Sequence, residues 1–231
     1  MSGAAHNVGL QAFYGVLAQS PMALIVPQKS SITSFKDLAD KKVGISAKGS
    51  LTDFITRAAV TKAGLSPDKV TEVPLGTPSS TISALARGDV DAFVLPVNFG
   101  YMESATGQGR IAQTAADVLG PDSQFAILMA MKSYISGNTA NLDKLAAAYK
   151  DALAWMQSHK PETVQLAVSK LSMTQPIAKQ TYDALVPKFT LDGSINTAGM
   201  SAYAKALPEL GIATTAPAQD LYLSTAVKPA Q

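Results

Sequence analysis

The sequence predicts an α/β fold, and three observations carry that prediction. Strand-like and helix-like stretches alternate from Val43 to Leu95, the pattern of a wound, parallel sheet. The strand candidates in that stretch are short, and Val90–Leu95 among them is largely apolar, as a strand covered on both faces is. From Asn141 onward the apolar spacing turns helical, so a helical C-terminal part follows the sheet.

Taken in order, Met22-Ala-Leu-Ile-Val26 is a strand-sized apolar run. Ser34-Phe-Lys-Asp37 has capping-box spacing ahead of Leu38 and predicts a short helix before the Lys41-Lys42 turn. Val43–Ser46 reads as a strand and Leu51–Ala63 as a helix, with Leu51, Phe54, Ile55, Ala58 and Ala59 at helical spacing and Gly64 as its stop. Ser66-Pro-Asp-Lys69 also has the spacing of a serine–lysine nucleophile pair, but Pro67 and the position after Gly64 favour a capped turn. Val70–Leu75 is the next strand, Thr77-Pro78 opens a helix that Arg87-Gly88 closes, and Val90–Leu95 is a third strand. Gly107-Gln-Gly109 reads as a surface turn. Phe125–Met131 is a further strand. Leu142, Leu145, Tyr149, Leu153 and Met156 form the stripe of an amphipathic helix. Pro161 and Pro176 open two more helices, Thr197–Leu207 is another, and the Ala-, Thr- and Pro-rich tail from Ala213 is expected to run over the surface.

Composition narrows the function. The 231 residues are 47% hydrophobic and 16% charged, enough to bury a sizeable core. Nineteen basic against seventeen acidic side chains, with Arg57, Arg87 and Arg110 as the arginines, give +2 and no dense basic stripe for nucleic acid. The absence of cysteine removes disulfides, thiolate metal sites and thiol catalysis together. No apolar run reaches the roughly 18–20 residues of a membrane helix, and Met1 is not followed by a basic and then long apolar leader. His6 and His159 are far apart, and His159 at a helix end reads as a cap for helix carbonyls. No metal-ligand spacing and no Walker loop appears, so the sequence calls for no metal and no cofactor.

The strand-to-helix connections hold the informative polar residues. Ser46-Ala-Lys-Gly-Ser-Leu-Thr52 leads into a helix N-terminus, where free N–H groups and the helix dipole suit an anionic ligand group. Ser50 or Thr52 acting only as a helix cap explains the same residues equally well. Gly76-Thr-Pro-Ser-Ser80, with Thr77 and Ser79, is a second such connection, and Pro96-Val-Asn98 follows the third strand. In a parallel sheet all three lie at the carboxyl edge, where α/β folds hold ligands. The candidate ligand-binding residues are Ser46, Lys48, Gly49, Ser50, Leu51, Thr52, Thr77, Pro96 and Asn98.

Ser20-Pro-Met-Ala-Leu-Ile-Val-Pro27, Ile32-Thr-Ser-Phe-Lys-Asp-Leu38, Lys41-Lys-Val-Gly-Ile-Ser46 and Lys48-Gly-Ser50 also carry a family resemblance. With Ala63–Val70, Ala84–Ala92 and Ala152–Met156, they resemble periplasmic substrate-binding proteins of the nitrate, sulfonate, taurine and thiamine-precursor type, which serve ABC importers. The resemblance implies two α/β lobes closing around a small solute, with crossing segments near Met22–Pro27 and Phe125–Met131. It places lobe two at residues 29–131, and the rest of lobe one with the C-terminal helices at 1–28 and 132–231. It implies further that about ninety residues precede the matching region in relatives, so lobe one is incomplete here. Pro96-Val-Asn98 departs from the aromatic and acidic residues that many relatives carry after that strand.

The function this implies is the solute-binding component of an importer for a small anion (sulfonate, nitrate or carboxylate) or a heterocycle, in the periplasm, partnered by membrane permease subunits. The alternatives are an enzyme of the same fold, of the pyrimidine-precursor synthase or desulfinase type, and a ligand-sensing or interaction module. The enzymes rely on cysteine, or on histidines outside the matching region, and this chain has no cysteine. Self-association is expected if the apolar faces at Leu145, Tyr149 and Leu153 lose their cover.

Overall fold

A computed structural model describes residues 2–120 and 124–226. The chain divides into two compact units, Met1–Ser20 with Pro121–Gln231, and Pro21–Gly120. The first unit starts with α1 (Ser2–Ala5) and β1 (Leu10–Leu17), and the second contains β2 (Met22–Pro27), β3 (Lys42–Ile45), α2 (Leu51–Lys62), β4 (Thr71–Pro74), α3 (Pro78–Arg87), β5 (Ala92–Pro96), α4 (Val97–Thr106), β6 (Gly109–Thr114) and α5 (Ala115–Leu119). The chain then returns to the first unit with β7 (Ala126–Met131), α6 (Lys132–Ser158), α7 (Lys160–Leu171), α8 (Gln175–Leu185) and α9 (Thr197–Glu209).

The second unit is a five-stranded sheet in the order β4-β3-β5-β2-β6. β3 runs parallel to β4 and β5, but β2 is antiparallel to both β5 and β6, so the sheet is mixed rather than purely parallel. Ala23, Leu24, Ile25 and Val26 of β2 are wholly buried, and Ala92, Phe93 and Val94 of β5 likewise. Their unbroken apolar runs fit strands with both faces covered. Gly44 of β3 has space for little more than its hydrogen: a Cβ there would lie 3.0 Å from Leu75 Cδ1 and 3.2 Å from Thr81 Cγ2. The Ser34 turn forms as a 3-10 helix, Phe35–Leu38, with both halves of its capping box made through Asp37. Pro67–Lys69 is another 3-10 turn.

The first unit is built on an antiparallel pair, β1 with β7. Phe13 and Tyr14 of β1 pack with Ile135, Leu142 and Ala146 of α6, while Ala12 packs with Met200 and Ala204 of α9 and with Tyr222. α7 and α8 form a separate cluster through Val164, Ala178 and Tyr182.

Several expectations change here. β1, α4, β6 and α5 were not foreseen; Gly107 caps α4 and Gly109 starts β6 instead of both forming a bare turn. Of the crossing segments expected near Met22–Pro27 and Phe125–Met131, β2 lies in the five-stranded sheet and β7 pairs with β1, and the chain changes units at Ser20–Pro21 and Gly120–Pro121. α6 begins nine residues before Asn141, with a break at Asn138 (φ −136°, ψ 25°) that its side chain stabilises by donating to the Tyr134 carbonyl at 2.9 Å. Its buried stripe is Leu142, Ala146 and Leu153. Leu145 and Tyr149 are exposed, so of the three residues expected to lose cover Leu153 has not lost it. The tail does not simply run over the surface. Tyr222 is buried, its carbonyl accepts from Ala12 N–H at 2.8 Å, and Ser224 N–H donates to the Ala12 carbonyl at 2.9 Å.

Gly15 of β1 shows how tightly the segment after α8 lies on that strand. Its N–H donates to the Gly193 carbonyl at 2.8 Å, and a Cβ would sit 2.1 Å from the Ser194 carbonyl oxygen. Gly15→Ala is expected to cost about 1–3 kcal/mol through backbone displacement, read as a lower urea midpoint with an unchanged slope.

Candidate functional site

β4, β3 and β5 are neighbours running in one direction, so their carboxyl ends lie together at one edge of the sheet. The connection from β3 sits between the other two. Gly76 N–H, at the end of β4, donates to the Ser46 carbonyl at 3.0 Å and ties two of the connections together.

The β3–α2 connection is organised by three hydroxyls. Ser46 Oγ donates to Ser50 Oγ at 2.9 Å, and Thr52 Oγ1 lies 3.0 Å from each of them. Thr52 Oγ1 also accepts from Ser46 N–H at 2.8 Å, and Ser50 Oγ accepts from Asp53 N–H as the N-cap of α2. Ser46 and Ser50 are half-buried, whereas Thr52 is only 6% exposed and serves the loop from inside. Ser50 N–H donates to the Ala47 carbonyl and Gly49 N–H to Asp53 Oδ2, so the backbone donors of Ser46, Gly49 and Ser50 are all in use. Leu51 and Thr52 open the helix and have no intrahelical acceptor for their N–H groups. Gly49 is exposed with φ +75°, a left-handed conformation that suits glycine, and the Leu51 side chain is half exposed at the helix start.

The two flanking connections differ. Thr77 caps α3, accepting from Ser80 N–H at 3.2 Å, with its hydroxyl 2.9 Å from Ser79 Oγ and 3.0 Å from Ser80 Oγ. Pro96 is the last residue of β5 and Val97 the first of α4, so Pro96-Val-Asn98 is no loop: Asn98 is half-buried in the first turn of a helix that lacks a side-chain cap. Val97 N–H is spent on the Pro21 carbonyl at 2.8 Å.

Lys48, read as a cation beside a ligand, points to a carboxylate instead: its Nζ is 3.3 Å from Glu72 Oε2. The same oxygen accepts from Arg57 Nη2 at 2.8 Å, and Arg57 Nε donates to Asp53 Oδ1 at 2.6 Å. Burial alone would raise the Asp53 carboxyl, but the Gly49 N–H, Arg57 and Glu72 hydrogen bonds outweigh it and hold Asp53 below the ordinary value. Burial, followed by the Asp53 carboxyl, pushes Glu72 above its ordinary value against the pull of Arg57 and Lys48. The cluster was not foreseen because Arg57 lies inside α2, away from the strand-to-helix connections that hold the candidate residues. The Asp53–Arg57 pair at helical i,i+4 spacing was the available signal. Among the described residues no group of three or more His, Asp or Glu is placed to hold a metal ion.

Comparison with known proteins decides the family. The profile described as "NMT1/THI5 like" matches residues 1–164. The chain belongs to the NMT1/THI5-like family. An Escherichia coli (strain K12) protein named for binding aliphatic sulfonates is 25% identical over 181 residues, 76% of this chain and 54% of that protein. The chain thus spans about half the length of that curated relative. The crystal structure of the periplasmic aliphatic sulphonate-binding protein of Escherichia coli superposes with TM-score 0.82 at 21% identity, over 99% of this chain and 72% of the other. The alkanesulfonate-binding protein of Xanthomonas axonopodis pv. citri, bound to MOPS, gives 0.79 at 16% identity, over 95% and 75%. The desulfurization enzyme DszB shares the fold at TM-score 0.67 and 17% identity, over 96% and 77%. The family's fold, that of periplasmic binding proteins, is the fold found here.

The cluster under the loop yields a stability prediction. Arg57→Met leaves two buried carboxylates with Lys48 as their facing cation, and is expected to cost about 2–3 kcal/mol at neutral pH, below the cost for a fully buried pair because Arg57 keeps 23% exposure. A carboxyl whose folded value is raised favours the folded state below its ordinary value, and that contribution is lost as pH rises through the folded value. The penalty of Arg57→Met is therefore expected to shrink on acidification as Glu72 takes a proton. Urea unfolding of both proteins at neutral and mildly acidic pH checks the sign.

Proposed function

We propose that the chain is the solute-binding component of an ABC importer, acting without catalysis on a small anion of the sulfonate class, in the periplasm and with membrane permease subunits as partners. The observation that carries this reading is the β3–α2 connection at the carboxyl edge: small residues, two half-buried hydroxyls and the N-terminus of a helix about 18 Å long, whose first N–H groups have no intrahelical acceptor. The sulfonate-binding names of the relatives support the same class. Nitrate, carboxylates and heterocycles are the next solutes to test.

Ser46, Ser50 and the Leu51–Thr52 N–H groups supply hydrogen bonds to the anion, Gly49 lets it approach the backbone, and Thr77, Pro96 and Asn98 line the neighbouring connections. Thr52 positions Ser46 and Ser50 from below. A helix N-terminus contributes about 0.3–1 kcal/mol when exposed and up to about 2 when partly buried, so this edge alone binds weakly.

The likeness to DszB favours a second reading, catalysis. The chain supplies no thiol. A serine–histidine contact exists at Ser158 and His159, 2.9 Å apart, but Ser158 Oγ donates to the Ala154 carbonyl and His159 Nδ1 lies 3.0 Å from the Trp155 carbonyl, so both serve the end of α6. Purified protein is expected to leave sulfinate and sulfonate substrates unchanged; steady turnover abolished by a point mutation would establish the enzyme reading instead.

Binding separates the site from a mere helix cap. Glycine replaces serine at an N-cap with a loss of only a few tenths of a kcal/mol, so Ser50→Gly removes the hydroxyl and spares the helix. Calorimetry with ethanesulfonate is expected to show roughly tenfold weaker binding for Ser50→Gly, equivalent to about 1.4 kcal/mol, with little change in melting temperature. Unchanged affinity would leave Ser50 as a cap alone and remove the site.

A further inference from the structure

Glu72 lies beneath the β3–α2 connection with its side chain 4% exposed, and its two oxygens are treated very differently. Oε2 receives Arg57 and Lys48. Oε1 is buried and has no hydrogen-bond donor. An ionised carboxylate oxygen left without a donor in such a place is costly, whereas a protonated one becomes a donor itself. The Asp53 carboxyl shares the Arg57 guanidinium with Glu72, and its charge raises Glu72 while its own value is lowered. The charged groups facing Glu72 are Asp53 and Arg57 from α2 and Lys48 from the connection, while β3 places Val43 opposite it.

Counting charge shows what a proton would change. With both carboxyls ionised, Asp53 and Glu72 balance Arg57 and Lys48, and Lys48 is held at Glu72. With Glu72 protonated, Asp53 and Arg57 form a neutral pair by themselves, and Lys48, whose side chain is 62% exposed, has no carboxylate to hold it. The ammonium then becomes available to an anion on the connection.

We propose that Glu72 is a positioning residue that couples anion binding at the β3–α2 connection to uptake of one proton, by releasing Lys48 toward the anion. The coupling rests on the anion site proposed above. It makes affinity rise as pH falls, because the protonated form of Glu72 is the form that binds.

Ethanesulfonate is the probe, since its own charge does not change across the range used. Calorimetry on the full chain is expected to show affinity falling at least about threefold from about pH 5 to about pH 8, with the observed heat depending on buffer ionisation enthalpy as proton uptake requires. Glu72→Gln stands in for the neutral, protonated acid and is expected to hold affinity at its acid-pH level throughout. Lys48→Met is expected to show weak binding and no pH dependence. A flat wild-type profile, with Ser50→Gly still weakening binding, overturns the coupling and leaves the site standing. A pH dependence that survives in Glu72→Gln overturns the assignment to Glu72. If ethanesulfonate does not bind at either pH, the site reading fails and the coupling with it. Protonation of Glu72 is decided separately by its carboxyl carbon resonance in ligand-free protein. A midpoint above the ordinary glutamate value that rises further in Lys48→Met supports it, and an ordinary midpoint overturns it.

Discussion

Arg57 is the side chain on which the organisation of the sheet edge depends. Two carboxylates, Asp53 and Glu72, are withdrawn from water on adjacent elements, and each would be unaffordable as a lone charge. One guanidinium reaches both because its planar fork presents separate N–H groups in two directions. Once Asp53 is fixed, its second oxygen holds Gly49 N–H, and the turn that carries Lys48 and Ser50 is fixed in its turn. A lysine at position 57 would offer a point charge without the fork, and the two carboxylates would compete for it.

The mixed sheet explains why three connections meet. β3 lies between β4 and β5, so its connection is flanked on both sides by others leaving the same edge. β2, running the opposite way, brings Pro21 to that edge, where its carbonyl takes the first N–H of α4. β6, antiparallel to β2, therefore runs with β5 and delivers the Thr114 turn to the same side, closed by its own capping box with Asp117. Helix starts thus gather at one edge by strand direction alone, before any ligand is considered.

Legibility from sequence followed the strength of local signals. β3, α2, β4, α3 and β5 were readable because Ser50, Thr77, Gly64 and Gly88 punctuate clean apolar runs. α4 was not, because its residues Val-Asn-Phe-Gly-Tyr-Met lack both a capping side chain and one apolar face, and no residue separates it from β5. β1 and β6 hid behind Gln11 and Gly15, and behind Arg110 and Gln113, which find tertiary partners that sequence does not display. Gln11 reaches the Asp220 carbonyl, Arg110 the carbonyls of Ser30 and Ile32, and Gln113 the N–H of Phe35. In α6 one of the buried positions is Ala146, too small to register against Leu145 and Tyr149 in a hydrophobic stripe. The hydroxyl residues of the proposed site were legible by type, but the burial of Thr52 and the pairing of Lys48 belong to packing.

For the anion site proposed above, the hydroxyl triad bears on the kind of ligand the edge would accept. Three hydroxyls carry three protons, and their mutual contacts can use all three, so the ring is satisfied without a ligand. Thr52 cannot turn outward without giving up Ser46 N–H, and it is buried. Ser46 and Ser50 can each redirect a proton, breaking one mutual bond for one bond to the ligand. Such an exchange is favourable only when the new acceptor is stronger than a hydroxyl oxygen, as a charged oxygen is. A neutral hydroxyl or amide ligand would trade like for like and gain little. In the proposed site the triad would therefore discriminate by acceptor strength, and Arg57 and Lys48, by neutralising Asp53 and Glu72 beneath it, keep that preference from being cancelled by negative charge from below.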